Sequence, residues 1–254
     1  MADRRVRARP GEGALLREEI LRAAEALLAE AGSEEALTLR AVAARTGVST
    51  PSVYLHFADK EALVEAVCLR VWDELARRVG DVSGAPEPFA ALGRCARAYV
   101  WFALDHPVQY RLVMMRPCTA EPVARAGRRC FDVLAGATAA CVEAGVMRGD
   151  PRHLALGLWA GVHGLVSLLI AQPAFPWPDD LEALVDHTVR ASGLGAALAS
   201  RLPRHGLPPI PALVDGLDAA AARLAPLMDD DRGAPVSPAG PAPRPGGTPR
   251  AGRP

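Results

Sequence analysis

Residues 38–60 read TLRAVAARTGVSTPSVYLHFADK, two short helical segments on either side of a sharp turn. Thr38 suits an N-cap, because its hydroxyl can accept a bond from a free N–H of the following turn. Leu39, Val42 and Ala43 then recur at helical spacing. Gly47 stands where the first segment must stop, and glycine enters the left-handed region without a Cβ penalty. Thr50 offers a second capping hydroxyl, and Pro51 a first-turn proline whose missing N–H costs nothing. Val53 and Phe57 give the second helix, 50–57, one apolar stripe, while Thr50, Ser52, Tyr54 and His56 point elsewhere. Ala43, Gly47 and Val53 have the mutual spacing of a helix-turn-helix. A short helix with hydroxyls, a tyrosine and a histidine on its outer face fits the major groove of DNA.

The longer run GVSTPSVYLHFADKEALVEAV resembles the DNA-binding domain of TetR/AcrR-type transcriptional regulators. Gly47, Val48, Ser49, Val53, Tyr54, His56, Phe57, Lys60 and Leu63 fall on that family's pattern, and the likeness extends over about residues 14–75. Leu55 departs from it, since the family more often has an aromatic residue or a second histidine there. The resemblance implies that Arg40, Thr50, Pro51 and Ser52 approach base edges, with Ser49 on the same surface. It implies that Tyr54, His56 and Lys60 hold phosphates, which fixes register without reading sequence.

Composition agrees with a helical protein. Half of the 254 residues are hydrophobic but only 5% are aromatic, and alanine- and leucine-rich segments at 3.6-residue period predict an all-α fold. Lys and Arg number 29 against 29 Asp and Glu, and the first 80 residues hold 12 basic and 13 acidic side chains. Any basic surface for DNA must therefore come from placement. The five cysteines, 68, 95, 118, 130 and 141, form no C-x-x-C pair and no cluster with histidine. They read as reduced, buried thiols of a cytoplasmic protein, with a redox-sensing pair such as Cys118 and Cys130 as the alternative. No metal site or cofactor is expected, and no apolar leader precedes residue 14. The chain carries no Gly-rich phosphate loop, nucleophile elbow or clustered acid–base set, which argues against an enzyme.

Taken in order, residues 1–13 are a flexible basic arm carrying Arg4, Arg5, Arg7 and Arg9. A DNA-binding domain of three helices and a linking fourth occupies 14–80, with its motif at 38–57. Helix 15–31 leads into the motif, and a long helix runs from Lys60 to about 79. The turn-rich DVSGAPEP marks a boundary. Residues 86–200 make a second helical domain, with helices near 89–104, 108–115, 122–144 (kinked near Gly136), 152–171 and 178–198. The apolar stretch 154–170 is read as a buried helix and not a membrane span, being interrupted by Gly157, Gly161, His163 and Gly164. Residues 201–228 are a linker with one extra amphipathic helix near 211–228. Residues 229–254 are a disordered tail, with 12 Pro and Gly in its 26 residues.

HLALGLWAGVHGLVSLLI bears a second resemblance: Trp159, His163 and Gly164 look like the WHG type of TetR C-terminal domain, a sensor and dimerisation domain. It implies that Gly157, Gly161, Gly164, Leu165 and Leu184 lie at a homodimer interface, although the glycines would equally serve close packing within one subunit. Tyr99, Phe102, Tyr110, Met114, Met115, Phe131, Trp159 and His163 supply the large side chains of this region. They either fill the core or line a mostly apolar cavity for a small apolar ligand. The expectation is a ligand-responsive repressor that binds a palindromic operator in double-stranded DNA as a dimer. A protein-binding adaptor on the same fold, without an inducer, is the alternative.

Overall fold

The computed structural model describes residues 12–83, 87–117, 120–203, 206 and 208–229. Most of the basic arm, Cys118 and the tail beyond 229 lie outside the described residues. Every regular element described is helical: α1 (Glu12–Ala31), α2 (Leu39–Thr46), α3 (Thr50–Tyr54), α4 (Lys60–Asp81), α5 (Pro88–Asp105), α6 (Pro107–Met114), α7 (Glu121–Glu143), α8 (Pro151–Ala171), α9 (Leu181–Ala199) and α10 (Ile210–Asp229). The all-α expectation holds.

Local chemistry fixes the ends. Thr38 is the N-cap of α2, its hydroxyl accepting from the Ala41 amide at 3.0 Å. Gly47 closes α2 at φ 69°, and the Val48 amide returns to Ala43 O at 3.0 Å. The cap of α3 is one residue earlier than the sequence suggested: Ser49, not Thr50, stands in the extended conformation and accepts from the Ser52 amide. This helix is also shorter than the expected 50–57. Asp59 must be extended (φ −156°) so that its carboxylate can cap α4 by accepting from Ala62 N at 2.8 Å, and the chain leaves α3 to allow it. The other helices begin and end within three residues of expectation, and α7 runs unbroken through Gly136.

Packing follows the apolar stripes. Ile20, Ala24 and Leu28 of α1, Leu39, Val42 and Ala43 of α2, Val53, Phe57 and the Leu63–Val64–Val67 face of α4 enclose one buried core. That core continues without a break along α4, through Val71 and Leu75, to Tyr99, Val100, Phe102 and Tyr110. Helices α4, α5, α7, α8 and α9 pack as the body around it. Residues up to Leu202 form one compact unit, and those from Pro203, with α10, form a second. Within α10, Ile210, Leu213, Val214, Leu217 and Leu224 are exposed, and Pro226 lies inside the helix.

Helix α8 corrects one expectation. It buries only one side, Ala155, Leu158, Val162 and Val166, and leaves Leu156 and Leu168 exposed. By length and composition it is long and apolar enough to cross a membrane, alone among the described helices.

Candidate nucleic-acid interface

Helix α3 rests on the core through a single stripe. Val53 is fully buried and Phe57 nearly so, with the Arg17 guanidinium 4.9 Å from the centre of the Phe57 ring. On the outer side Pro51, Tyr54 and Leu55 are exposed, Thr50, Ser52 and His56 half-buried. Arg40, in the first turn of α2, is exposed and makes no hydrogen bond or ion pair among the described residues. Ser49 and Ser52 are engaged with each other, their hydroxyl oxygens 2.7 Å apart. Lys60 is more constrained than its expected role requires: it is half-buried, and Nζ donates to Glu34 O at 3.1 Å. Two of the ammonium hydrogens stay available to another acceptor.

The reader is tied to the body by side chains the sequence did not single out. Arg116, just past α6, donates to both oxygens of Glu61 in the first turn of α4 (2.9 and 2.6 Å) and pairs with Glu34 at 3.2 Å. Arg111 Nη2 donates to Gly32 O at 3.0 Å. Arg70 of α4 pairs with Glu18 and Glu25 of α1. These partners lie 45 or more residues apart in sequence, so no local pattern announces them. Further along α4, Arg78 Nη2 donates to His106 Nε2 at 3.2 Å, and its guanidinium lies 5.3 Å from the Phe102 ring centre. Burial first, then the Arg78 charge, hold His106 below the usual imidazole range. A cleft of about 550 Å³ opens here, lined by Glu25, Arg70, Glu74, Arg77, Arg78, Phe102, His106 and Gln109 among others.

Of the eight residues expected to contact a ligand, the structure gathers five. The hydroxyls of Tyr99 and Tyr110 are 2.9 Å apart, and both reach His163 Nδ1, at 3.0 and 2.5 Å. Trp159 Nε1 donates to Tyr99 Oη at 3.2 Å, and Phe131 packs on the Trp159 ring. One consistent order runs from Trp159 N–H to Tyr99, from Tyr99 to Tyr110, and from Tyr110 to His163 Nδ1. It requires a neutral imidazole, which burial also favours by pulling the His163 pKa down. Burial drives both tyrosines far from ionisation. Met114 is half-buried against the core. Phe102 faces the cleft instead, and Met115 is 42% exposed.

The residues expected at a dimer face divide. A Cβ on Gly161 would lie 3.0 Å from Ser192 Oγ, so this glycine serves close approach of α9 to α8 within one subunit. Gly157 and Gly164 face open space, and Leu165 and Leu184 are half-buried. Beside them an apolar strip is exposed: Leu156, Ala160 and Leu168 on α8, Leu194 and Leu198 on α9.

Comparison with known proteins agrees with this architecture. A family model described as bacterial regulatory proteins, tetR family, matches residues 20–67. A second, described as tetracyclin repressor-like, C-terminal domain, matches residues 92–192. The uncharacterized HTH-type transcriptional regulator Rv0681 of Mycobacterium tuberculosis is 30% identical over 162 residues, 63% of this chain and 72% of that protein. This chain belongs to the TetR family. Two solved structures carry the same fold. A protein of unknown function from Rhodococcus sp. RHA1 is 27% identical with TM-score 0.63, covering 74% of this chain and 96% of that one. A transcriptional regulator from Rhodococcus sp. Rha1 is 25% identical with TM-score 0.57, covering 74% and 99%. As a TetR-family member the chain is a DNA-binding transcriptional regulator and not an enzyme, and α2–α3 is its helix-turn-helix.

Proposed function

We propose that this TetR-family regulator is a cytoplasmic homodimer that represses by binding a palindromic operator and lets go when a small apolar ligand binds. The observation that carries this reading is α4, one unbroken helix of 22 residues whose first turn abuts the reader and whose later turns pack in the body. Any shift of the body helices moves α3 with it. The exposed strip on α8 and α9 supports a two-fold four-helix seam, which would hold two α3 helices one DNA turn apart, roughly 34–36 Å, or a multiple of it. On DNA, Arg40, Thr50, Pro51 and Ser52 approach base edges. Tyr54, His56 and the remaining hydrogens of Lys60 hold phosphates, and Ser49 acts through its bond to Ser52.

Induction is a population shift. A ligand seated among Tyr99, Tyr110, Phe131, Trp159 and His163 favours the conformer with mis-spaced readers only through its differential affinity for the two states. Tyr99 Oη, Tyr110 Oη, Trp159 Nε1 and His163 Nδ1 bond to one another, which favours the second reading, an adaptor on the same fold that needs no inducer. Fluorescence anisotropy of a labelled operator, titrated with a panel of small apolar compounds, separates the two. A compound that weakens operator binding supports the inducible repressor. Operator affinity unmoved by every compound that binds the protein favours the adaptor.

A further inference from the structure

The crest of the reader helix is apolar. At about 100° per residue, Val53 and Phe57 mark the buried side of α3, and position 55 falls opposite them. The backbone keeps helical geometry that far: Leu55 stands at φ −65°, ψ −21°, its amide bonds to Pro51 O at 3.3 Å, and the Phe57 amide bonds to Val53 O at 3.0 Å. Leu55 is 86% exposed, the most exposed large hydrophobic side chain among the described residues. One exposed leucine on a protein surface is ordinary, so the exposure alone decides nothing. Its place does. The polar residues Thr50 and Tyr54 lie to one side of the crest, Ser52 and His56 to the other. In a groove the crest of such a helix meets the floor, and the residues on its flanks reach the outer base edges and the sugar–phosphate walls.

A leucine has neither donor nor acceptor, and the apolar feature that base pairs show in the major groove is the C5-methyl of thymine. Cytosine in the same place offers no methyl and presents an amino group that Leu55 would strip of water without a partner. We propose that Leu55 is a specificity-determining residue that reads the C5-methyl of one thymine in each half-site. The inference rests on α3 being the recognition helix.

The test uses the full chain and an operator selected from random DNA. Each thymine is replaced in turn by deoxyuridine, which removes only the methyl, and affinity is read by anisotropy. One position per half-site is expected to lose roughly 3- to 10-fold on replacement, the scale of one or two buried methyl groups. In Leu55→Ala that sensitivity disappears and the unmodified operator is bound more weakly by the same factor, while Leu55→Met keeps most of both. Leu55 is exposed, so the fold survives either change, and an unchanged thermal midpoint verifies it. Methyl sensitivity absent at every thymine, or present but unaltered in Leu55→Ala, overturns the proposal. Failure of the underlying reading looks different: Thr50→Ala, Ser52→Ala and Tyr54→Ala combined would then bind the operator as well as the parent, and this inference would fall with it.

Discussion

Arg116 and Glu61 form a two-bond clasp, 2.9 and 2.6 Å, between the end of α6 and the first turn of α4. The same guanidinium pairs with Glu34 in the α1–α2 loop, and Glu34 O receives the Lys60 ammonium. Four charged side chains thus gather where the body meets the reader. Arg116→Ala removes the shared cation and leaves Glu34 and Glu61 facing each other. Global stability should fall by only about 0.5–1 kcal/mol, the scale of half-exposed pairs. Hydrogen exchange should rise selectively at residues 33–37 and at the start of α4. Uniform exchange rates across the chain would show that the clasp holds nothing locally.

His106 gives stability a defined pH dependence. Its folded pKa lies below the ordinary 6.5 because of burial and the Arg78 charge, against weaker opposing effects of Asp105 and Glu74. The folded state therefore binds fewer protons than the unfolded state once pH drops under that value. The contribution of His106 to stability is fully present above about pH 7 and is lost as pH falls from there through the lower folded pKa. His163 acts in the same direction through burial. Urea midpoints between pH 7.5 and 5.5 should fall in the parent and fall less in His106→Gln, which keeps an acceptor for Arg78 but does not titrate. Equal declines would remove His106 from the account.

Gly47 carries the turn. Its φ of 69° suits glycine, and an added Cβ would meet no atom within 4 Å, so the cost of Gly47→Ala is conformational and not steric. Unfolding free energy should drop by about 1–2 kcal/mol. Gly136→Ala, helical and equally uncrowded, should instead raise stability by about 0.4–1 kcal/mol. Two variants with the same sign would contradict this assignment of the turn.

The thiols should be inert in the native protein. Cys68, Cys95, Cys130 and Cys141 are buried and joined in no disulfide among the described residues, and burial pushes Cys130 up to about 12 and raises Cys95 and Cys141. Alkylation followed by peptide mass mapping should find Cys95, Cys130 and Cys141 unmodified until denaturant is added. Rapid native labelling of Cys130 would reopen its pairing with Cys118.

Much of the reader was legible from sequence because its signals are local. A capping threonine, a turn glycine and a four-residue apolar repeat each act within one turn, and all three stand where they were expected. The adjacent hydroxyls Ser49 and Thr50 left the second cap ambiguous, and only backbone conformation distinguishes them. In the body, aromatic spacing brought out Tyr99, Tyr110, Trp159 and His163, but not that they bond to one another. Their contacts cross 11 to 64 residues, where periodicity carries no information. Arg78, Arg111 and Arg116 were invisible for the same reason. Gly157, Gly161 and Gly164 looked alike in sequence, yet one faces a neighbouring helix of its own subunit and two face open space.

The central claim is that α3 reads DNA once in each of two protomers, with Arg40 beside it reading a base. Selection of bound sequences from random DNA, run in parallel for the parent and Arg40→Ala, tests it most directly. The account predicts an inverted repeat with half-site centres one helical turn apart, or a multiple, and loss of preference at one symmetric pair of positions in Arg40→Ala. An unsymmetrical selected site, or the same fully specified repeat recovered by both proteins, would contradict it.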